Sequence, residues 1–196
     1  MIANQTLRLD EVQADEEYEN CTFLTSNERL RFSEVTFSHC TFEQDDLADS
    51  EWLDCEFQAI NWSNKQVQRS LLYRCKFENC QLVGTDFFEN NWRDNEVIES
   101  KAEFLNLAAA KINNCKFTDT DLKDASFQEC EVTKALKFKG GDLTQTDFTE
   151  TTLKMIDFSK SYFESIRFTP AILRGCKVKS TQASVMMAIL RAKIVD

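Results

Sequence analysis

The stretch NCKFTDTDLKDASFQECEV, residues 114–132, carries a large apolar residue at every fifth position. These residues are Phe117, Leu122, Phe127 and Val132, and a small residue stands two places before each of them. An α-helix repeats its faces every 3.6 residues and a strand every two residues, so neither produces a five-residue period. The stretch therefore indicates a backbone in which five residues form one structural unit.

The same frame covers most of the chain. It runs through residues 32–132, is displaced by one residue, and continues through residues 138–178, with an earlier piece at residues 18–23. An internal repeat outweighs local propensity as evidence of fold. The alanine-rich segment ESKAEFLNLAAAKI, residues 99–112, is therefore predicted to stay in the repeat although it would pass for a helix in isolation.

Two inward positions out of five predict a short extended side that ends in a bend. Four such sides close a square of 20 residues, and successive turns stack at the strand spacing of roughly 4.8 Å. A step of 20 residues should then select one column of the core, after allowance for the one-residue displacement. The column is Phe37, Phe57, Phe77, Val97, Phe117, Phe138, Phe158 and Val178. It predicts about eight stacked turns.

The five-residue pattern resembles a known family. The units CKFTD, TDLKD, ASFQE and TDFTE, each with a small residue first and a large one third, are similar to those of pentapeptide-repeat proteins. The resemblance implies an all-β fold, a right-handed quadrilateral β-helix. The predicted organisation is an acidic lead-in at residues 1–17, the β-helix at residues 18–178, and a C-terminal capping or dimerisation helix at residues 179–196.

The carboxyl-terminal segment from residue 151 resembles a narrower group, the quinolone-resistance (Qnr) proteins and the albicidin and microcin self-resistance proteins. Gly175, Val178, Gln182 and Ala183 carry this match. In that group the closing helix forms a rod-like dimer. The group protects DNA gyrase or topoisomerase IV from inhibitors, in part by resembling duplex DNA. The resemblance thus implies a homodimer and a protein partner of this class.

The residues of the last segment are consistent with a short helix. Ser180 or Thr181 can cap it, and an apolar face follows. The candidate dimer interface is Val185, Met186, Ile189, Leu190 and Ile194. The alternative is that this face only covers the open end of the coil, as the terminal repeats of solenoids do.

Catalysis and metal binding are not indicated. All eight cysteines occupy the small inward position, which makes them packing residues. The single histidine, His39, occupies an outward position, and neither a phosphate-binding glycine loop nor a serine–histidine–acid set is present. The sequence therefore predicts a non-enzyme without metal, cofactor or small-molecule substrate. It has neither a membrane-length apolar stretch nor a signal peptide at its start, which predicts a cytoplasmic protein.

Charge is where a function can be argued. The net charge is −10, with −5 in residues 1–20, −7 in residues 41–60 and +4 in residues 161–196. Spread over eight turns, −10 is one charge per roughly 4 Å, against one per roughly 1.7 Å in duplex DNA. DNA-like density is approached only near the amino end. The candidate acidic partner surface there is Glu43, Asp46, Asp49, Glu51, Asp54 and Glu56.

The leading hypothesis is a non-enzymatic protein that binds a type II topoisomerase and gives tolerance to quinolone-like inhibitors, without direct binding to nucleic acid or membrane. The alternative is a pentapeptide-repeat scaffold for another protein partner. An acidic surface that serves solubility alone is the simplest competing explanation.

Two local features give further expectations. The stretch KGGD, residues 139–142, is expected to be the bend that absorbs the one-residue displacement. Asp45 and Lys65 occupy the small inward position 20 residues apart, so they are expected on adjacent turns as a buried ion pair, or as two solvated charges where the corner opens.

Overall fold

The computed structural model describes residues 1–190, which form short parallel strands followed by one α-helix. The strands are β1 (Ile2–Ala3), β2 (Thr6–Arg8), β3 (Glu17–Glu19), β4 (Thr22–Leu24), β5 (Arg31–Ser33), β6 (Thr36–Ser38), β7 (Thr41–Phe42), β8 (Glu51–Leu53), β9 (Glu56–Gln58), β10 (Leu71–Tyr73), β11 (Lys76–Glu78), β12 (Asn91–Arg93), β13 (Glu96–Ile98), β14 (Lys111–Asn113), β15 (Cys115–Thr118), β16 (Glu131–Val132), β17 (Leu136–Asp142), β18 (Asp147–Phe148), β19 (Ile156–Tyr162) and β20 (Arg167–Phe168). The helix is α1 (Ser180–Ile189), and single-turn 3₁₀ helices lie at Leu9–Glu11, Leu153–Met155 and Pro170–Ile172.

The strands stack into a β-helix of about eight turns with four sides, as the 20-residue period predicts. Face 1 is a nine-stranded parallel sheet in the order β1-β3-β6-β9-β11-β13-β15-β17-β19, and face 4 is a six-stranded sheet in the order β5-β8-β10-β12-β14-β16. Between them along the chain lie two faces with fewer strands. Face 2 is centred on Leu7, Phe23, Phe42, Trp62, Leu82, Ala102, Leu122 and Leu143, and face 3 on Leu47, Val67, Phe87, Leu107, Phe127, Phe148 and Phe168.

The corner of each unit is made by the residue two places after the central one. Asp54, Arg74 and Asp94 have φ angles of 55°, 53° and 55°, in the left-handed region. Non-glycine residues seldom adopt this conformation. Here the ladder between turns supports it, since the Asp54 N–H donates to the Tyr73 carbonyl at 2.8 Å and the Arg74 N–H to the Arg93 carbonyl at 2.9 Å. Stacked turns therefore hold a corner that an isolated unit would not.

Aromatic side chains fill the interior in register with the period. Phe57 stacks on Phe37 with ring centroids 5.6 Å apart and on Phe77 with centroids 4.7 Å apart. Both rings come from the neighbouring turns, because Phe57 pairs with Phe37 and Phe77 across face 1. The alanine-rich residues 99–112 continue this core, since Ala102 and Leu107 are fully buried. The expectation that this segment stays in the repeat is confirmed.

The small inward position satisfies backbone groups as well as fitting tight space. The N–H of Ser50 donates to the Ser70 hydroxyl at 3.0 Å, and the N–H of Ser70 donates to the Asn90 side-chain oxygen at 2.7 Å. Cysteine does part of the same work, as the Cys80 thiol lies 3.3 Å from the Phe57 carbonyl oxygen. The inward cysteines are thus packing residues with a weak donor.

The coil begins earlier than the repeat pattern suggests. Ile2 in β1 pairs with Tyr18, and Leu7 in β2 pairs with Phe23. The predicted lead-in of residues 1–17 is therefore part of the first turn, whose stacked residues lie 16 rather than 20 apart. Because this turn is short, it follows no 20-residue step, and its 3₁₀ helix places Leu9 in the core.

The one-residue displacement lies upstream of the glycines. Cys115 already pairs with Leu136, 21 residues later, so the extra residue enters at the corner before β17. The expectation that KGGD absorbs it is wrong. Gly140 and Gly141 serve close approach instead: a Cβ on Gly141, which has φ +78°, would lie 2.0 Å from the Thr120 carbonyl oxygen. The chain here passes directly over the turn below.

Asp45 and Lys65 do lie on adjacent turns, but only one of them is buried. The Lys65 ammonium contacts Asp45 Oδ1 and the Gln44 carbonyl oxygen, each at 3.0 Å. The Lys65 side chain is 7% exposed and that of Asp45 is 86% exposed. The predicted register is therefore correct, but the predicted burial of the Asp45 carboxylate is wrong. The Lys65 side chain is long enough to bring its ammonium group to the edge of the corner, where it meets the exposed carboxylate.

Candidate partner-binding surfaces

The six acidic residues proposed as a partner surface do not share a face. Glu43 lies on face 2, Asp46 on face 3, Glu51 on face 4 and Glu56 on face 1, while Asp49 and Asp54 occupy the corners on either side of face 4. Consecutive residues of one turn encircle the rod. The six residues therefore form a ring and cannot act together on one flat partner.

Basic residues from neighbouring turns also offset half of this ring. Arg69 holds Asp49 through two hydrogen bonds of 3.0 and 2.8 Å, and Arg74 holds Asp54 in the same bidentate way. These guanidinium groups keep the pKa of the Asp49 and Asp54 carboxyls below the usual range. Glu51 accepts from Arg29 at 2.7 Å. Local negative charge counted along the sequence is thus partly neutralised in space.

Face 3 gathers acidic residues from many turns. Stepping along its outward and corner positions gives Asp46, Asp49, Asp86, Glu89, Glu129, Asp147 and Glu150. The basic residues at the same positions are Arg69 and Arg167. A 20-residue step along the sequence could have identified these acidic residues. Charges summed over consecutive residues did not, because each such sum combines all four faces. We call these seven acidic residues the acidic stripe.

Part of the acidic stripe serves the backbone. Asp46, Asp86 and Asp147 each accept a hydrogen bond from the N–H two residues later, at 3.0, 3.0 and 2.8 Å. Such Asx turns explain aspartate at this position on the sides with few strands. Glu89 and Glu129 are different, because both are exposed corner residues on face 3. They are the corner residues of the stripe whose carboxylates have no hydrogen-bond or ion-pair partner among the described residues, whereas Arg69 holds Asp49 and the Thr169 hydroxyl holds Glu150.

The carboxyl-terminal helix covers the end of the coil. Met186 is 5% exposed, and Val185 and Ile189 pack against the core, whereas Leu190 is 38% exposed. Ile194 lies outside the described residues. Met186 of the candidate dimer interface is therefore buried against the coil. Its neighbour Met187, which the sequence pattern did not place in the interface, is exposed.

Gln182 fixes the helix on the coil. Its side-chain amide donates to the Phe158 and Ser161 carbonyls at 2.9 and 3.0 Å, and its oxygen accepts from the Lys179 N–H at 2.8 Å. The expected cap by Ser180 or Thr181 is replaced by this arrangement.

Within residues 1–190 no helix is long and apolar enough to cross a membrane.

Most of the buried cysteines lack an activated environment, although the neighbouring Cys75 thiol lowers the pKa of the Cys55 thiol. Burial raises the pKa of the Cys80 thiol to about 11 and those of Cys115 and Cys130 to about 12. A thiol with so high a pKa is a poor nucleophile at neutral pH. His39 Nδ1 lies 3.0 Å from the hydroxyl of its neighbour Ser38 on the outer surface. The described residues contain no cluster of three or more histidine, cysteine or acidic side chains suited to a metal ion.

Comparison with known proteins agrees with this architecture. Residues 70–144 match the family model described as a pentapeptide repeat region. The coil has the pentapeptide-repeat fold. A trypsin-treated form of QnrB1, a plasmid-mediated fluoroquinolone resistance protein, superposes with a TM-score of 0.52 at 17% identity over 99% of this chain and 97% of that one.

A second pentapeptide-repeat structure is equally similar in shape. HetL, which is involved in heterocyst differentiation regulation in the cyanobacterium Nostoc sp. strain PCC 7120, gives a TM-score of 0.53 at 11% identity, over 90% of this chain and 84% of that one. The sequence matches no curated protein. At these identities the likeness establishes the fold, while the partner has to be argued from the surface.

Proposed function

We propose that the protein is a non-enzymatic binder of a type II topoisomerase, DNA gyrase or topoisomerase IV, and that it gives tolerance to quinolone-like inhibitors in the cytoplasm. The observation that carries the proposal is the acidic stripe, which runs along one face of a rod-shaped fold. The likeness in shape between this protein and QnrB1, over nearly the whole chain, supports the same proposal. We expect the stripe to present its negative charge to the DNA-binding groove of the topoisomerase, in the place of the DNA phosphates.

The stripe is a partial rather than a uniform DNA mimic. Arg69 offsets Asp49, and the Arg167 guanidinium lies 3.1 Å from the Asp147 carboxylate, which leaves the uncompensated charge of the stripe on Asp46, Asp86, Glu89, Glu129 and Glu150. Binding is therefore expected to rest on a few residues, chiefly Glu89 and Glu129. This makes the proposal open to a focused mutational test.

The test is a supercoiling assay with purified gyrase and a fluoroquinolone, across a titration of the protein. We expect rescue of supercoiling by the wild type and at least tenfold weaker rescue by Glu89→Lys/Glu129→Lys. The matched control is Glu34→Lys/Glu99→Lys, which alters two other exposed glutamates at left-handed corners away from face 3. Equal losses in both variants would contradict the role of the stripe.

A second candidate is a scaffold for another protein partner. The Asx turns of face 3 favour it, because they give three aspartates of the stripe a purely structural reason to exist. If the wild-type protein neither rescued nor inhibited gyrase in the supercoiling assay, the scaffold would replace the topoisomerase binder as the leading candidate.

Homodimerisation through the carboxyl-terminal helix is part of the leading proposal. Val185, Ile189 and Leu190, joined by the exposed Met187, would meet the same surface of a second copy, while Met186 remains in the cap. Light scattering should show a dimer that Met187→Glu/Leu190→Glu converts to a folded monomer. A monomeric wild type at micromolar concentration would reduce the helix to a cap.

A further inference from the structure

One outward column of face 1 alternates in charge along the rod except at a single step. Glu56, Lys76, Glu96 and Lys116 lie on four successive strands, and each pairs with the next across the ladder. Opposite charges on neighbouring strands stabilise a sheet. The following partner of Lys116 is Lys137, which interrupts the alternation. Beyond this step the column alternates again, because Lys137 pairs with Asp157 and Asp157 with Lys177.

A second pair of like charges joins β17 to the next strand of the face. Lys139 in β17 pairs with Lys160 in β19 despite the irregular register there. Like charges placed directly opposite each other destabilise a sheet. These side chains point outward, so the core gives no reason for lysine at either pair. The fold therefore tolerates two unfavourable contacts that it avoids in the amino-terminal half of the same face.

The lysines form a continuous surface that we call the basic patch. It comprises Lys116, Lys134, Lys137, Lys139, Lys160, Lys177 and Lys179 on face 1 and its corners. Among the described residues, Lys134, Lys137, Lys139 and Lys160 are exposed and take part in no ion pair. A chain with 33 acidic and 23 basic residues thus leaves several neighbouring cations without a counter-charge.

Few anionic groups interrupt the basic patch. Asp157 lies within it, 3.9 Å from the Lys177 ammonium, and accepts hydrogen bonds from the Ser159 N–H and hydroxyl at 3.0 and 2.6 Å. Glu96 lies at its border, 3.8 Å from Lys116, and the exposed Asp119 occupies the face 1 corner against Gly140, next to Lys139. A groove of about 290 Å³ opens beside Lys137, Lys154 and Lys177. The patch consequently keeps a net positive charge at its centre.

We infer that the basic patch binds the phosphate backbone of double-stranded nucleic acid. The strands of Lys116 and Lys177 are three turns apart, roughly 14 Å along the rod. A duplex carries about eight phosphates over that length, of which about half face one side. Lysines arranged in a flat grid of this size match such a row of charges, and their release of counterions drives binding without base recognition.

Other anionic partners fit the patch less well. A membrane surface would use apolar side chains beside the cations, and Met155 is the exposed large apolar residue beside the groove. A second copy of this chain would bring the acidic half of face 1, but exposed ion pairs contribute little to affinity. In the acidic half, Glu56 lies four turns from Lys137, about 19 Å and beyond the Debye length of about 8 Å, whereas Glu96 lies two turns away, about 10 Å, and is paired with Lys116.

The inference does not rest on the proposed function and is tested without a topoisomerase. Fluorescence anisotropy of a labelled DNA duplex of about 20 base pairs measures binding by the full chain as salt is raised. With about five lysines at phosphates, the logarithm of the association constant should fall with a slope of about −4.5 against the logarithm of salt concentration, or about 500-fold between about 50 and 200 mM salt.

Two variants with the same change in net charge separate the patch from the whole molecule. Lys137→Gln/Lys139→Gln/Lys160→Gln should bind at least tenfold more weakly than wild type at low salt and show a slope smaller by about 2.7. The control removes three lysines away from the patch, Lys76→Gln/Lys101→Gln/Lys123→Gln, and should stay within twofold of wild type. Circular dichroism establishes that both variants fold.

Three outcomes would overturn the inference. The first is no binding by the wild type at about 50 mM salt and about 100 μM protein, a concentration equal to the weakest dissociation constants usual for non-specific binding at the higher physiological salt. The second is an equal loss in both triple variants. The third is a salt-sensitive dimer in sedimentation velocity that the patch variant loses while the duplex stays unbound, which would assign the patch to a second copy of the chain.

Discussion

The middle of the coil and its two ends are built on different rules. Between face 1 strands β6 and β15 each stacked residue lies 20 positions from the next, as Phe37, Phe57 and Phe77 do. At the amino end the spacing is 16 between Ile2 and Tyr18, and toward the carboxyl end it is 21 between Cys115 and Leu136. A repeat thus fixes the middle through neighbours of identical geometry, while each end needs its own side chains to close the core.

The largest expected effect tests the middle. Phe117→Ala removes a buried ring that stacks on Trp92 and Phe138, with centroids 6.1 and 5.6 Å away. The cavity should lower the free energy of unfolding by about 3–5 kcal/mol in urea denaturation. A loss below about 1 kcal/mol would mean that the neighbouring turns collapse into the space, which close-packed interiors seldom permit.

The next effect tests the carboxyl end. Gln182→Ala removes the hydrogen bonds that the Ser161 carbonyl and the Lys179 N–H make to this side chain and leaves the Phe158 carbonyl with the Ser161 hydroxyl alone, which should cost about 2–3 kcal/mol. Helical circular dichroism should fall at a lower urea concentration than the signal of the strands. Ser184→Ala is the control, because that exposed hydroxyl contacts only the Thr181 carbonyl of the same helix. Coincident loss of both signals would show that the cap and the coil unfold together.

A third effect tests the corner at which one charge is buried. Asp45→Ala leaves the Lys65 ammonium with the Gln44 carbonyl alone, and we expect a loss of about 1–2 kcal/mol, moderated by the exposure of Asp45. Lys65→Met removes the charge and keeps the buried stem, so it should change stability by less than about 1 kcal/mol. If Lys65→Met were the more harmful of the two, the ammonium would be stabilising the corner in its own right.

The sequence predicted the middle well because its evidence is redundant. Phe57, Phe77 and Phe117 all report the same 20-residue step, and the inward cysteines follow it too. The ends carry no such redundancy. Nothing in the spacing marks Leu9 as the residue that closes the amino end, and the role of Gln182 depends on carbonyls that lie more than 20 residues earlier in the chain.

The candidate surfaces show the same limit. Glu89 and Glu129 become members of one stripe only after residues are sorted by face, and Lys137 meets Lys116 only because the inserted residue precedes it. Arg69 and Arg74 neutralise acids that lie one turn earlier, which a running charge count does not register. Partner surfaces of a β-helix therefore have to be assigned by column rather than by stretch of sequence.

The smallest effect compares Asp147 with the middle of face 3. Burial opposes ionisation of Asp147, but hydrogen bonds from Thr149 and Gln128 and the charge of Arg167 outweigh it, so the pKa of this carboxyl lies below its ordinary value. A carboxyl with a lowered pKa in the folded state contributes stability above its unfolded value, about 4, and loses that contribution as the pH falls. In Asp147→Asn the turn should persist, since Asn106 makes the same hydrogen bond to the Ala108 N–H at 3.0 Å in the middle of the face. We therefore expect the variant to be weaker than wild type by about 1 kcal/mol or less at neutral pH, and the difference to shrink in urea denaturation as the pH is lowered through about 4. A difference that stayed constant with pH would show that the amide fails to replace the turn and that the charge itself contributes nothing.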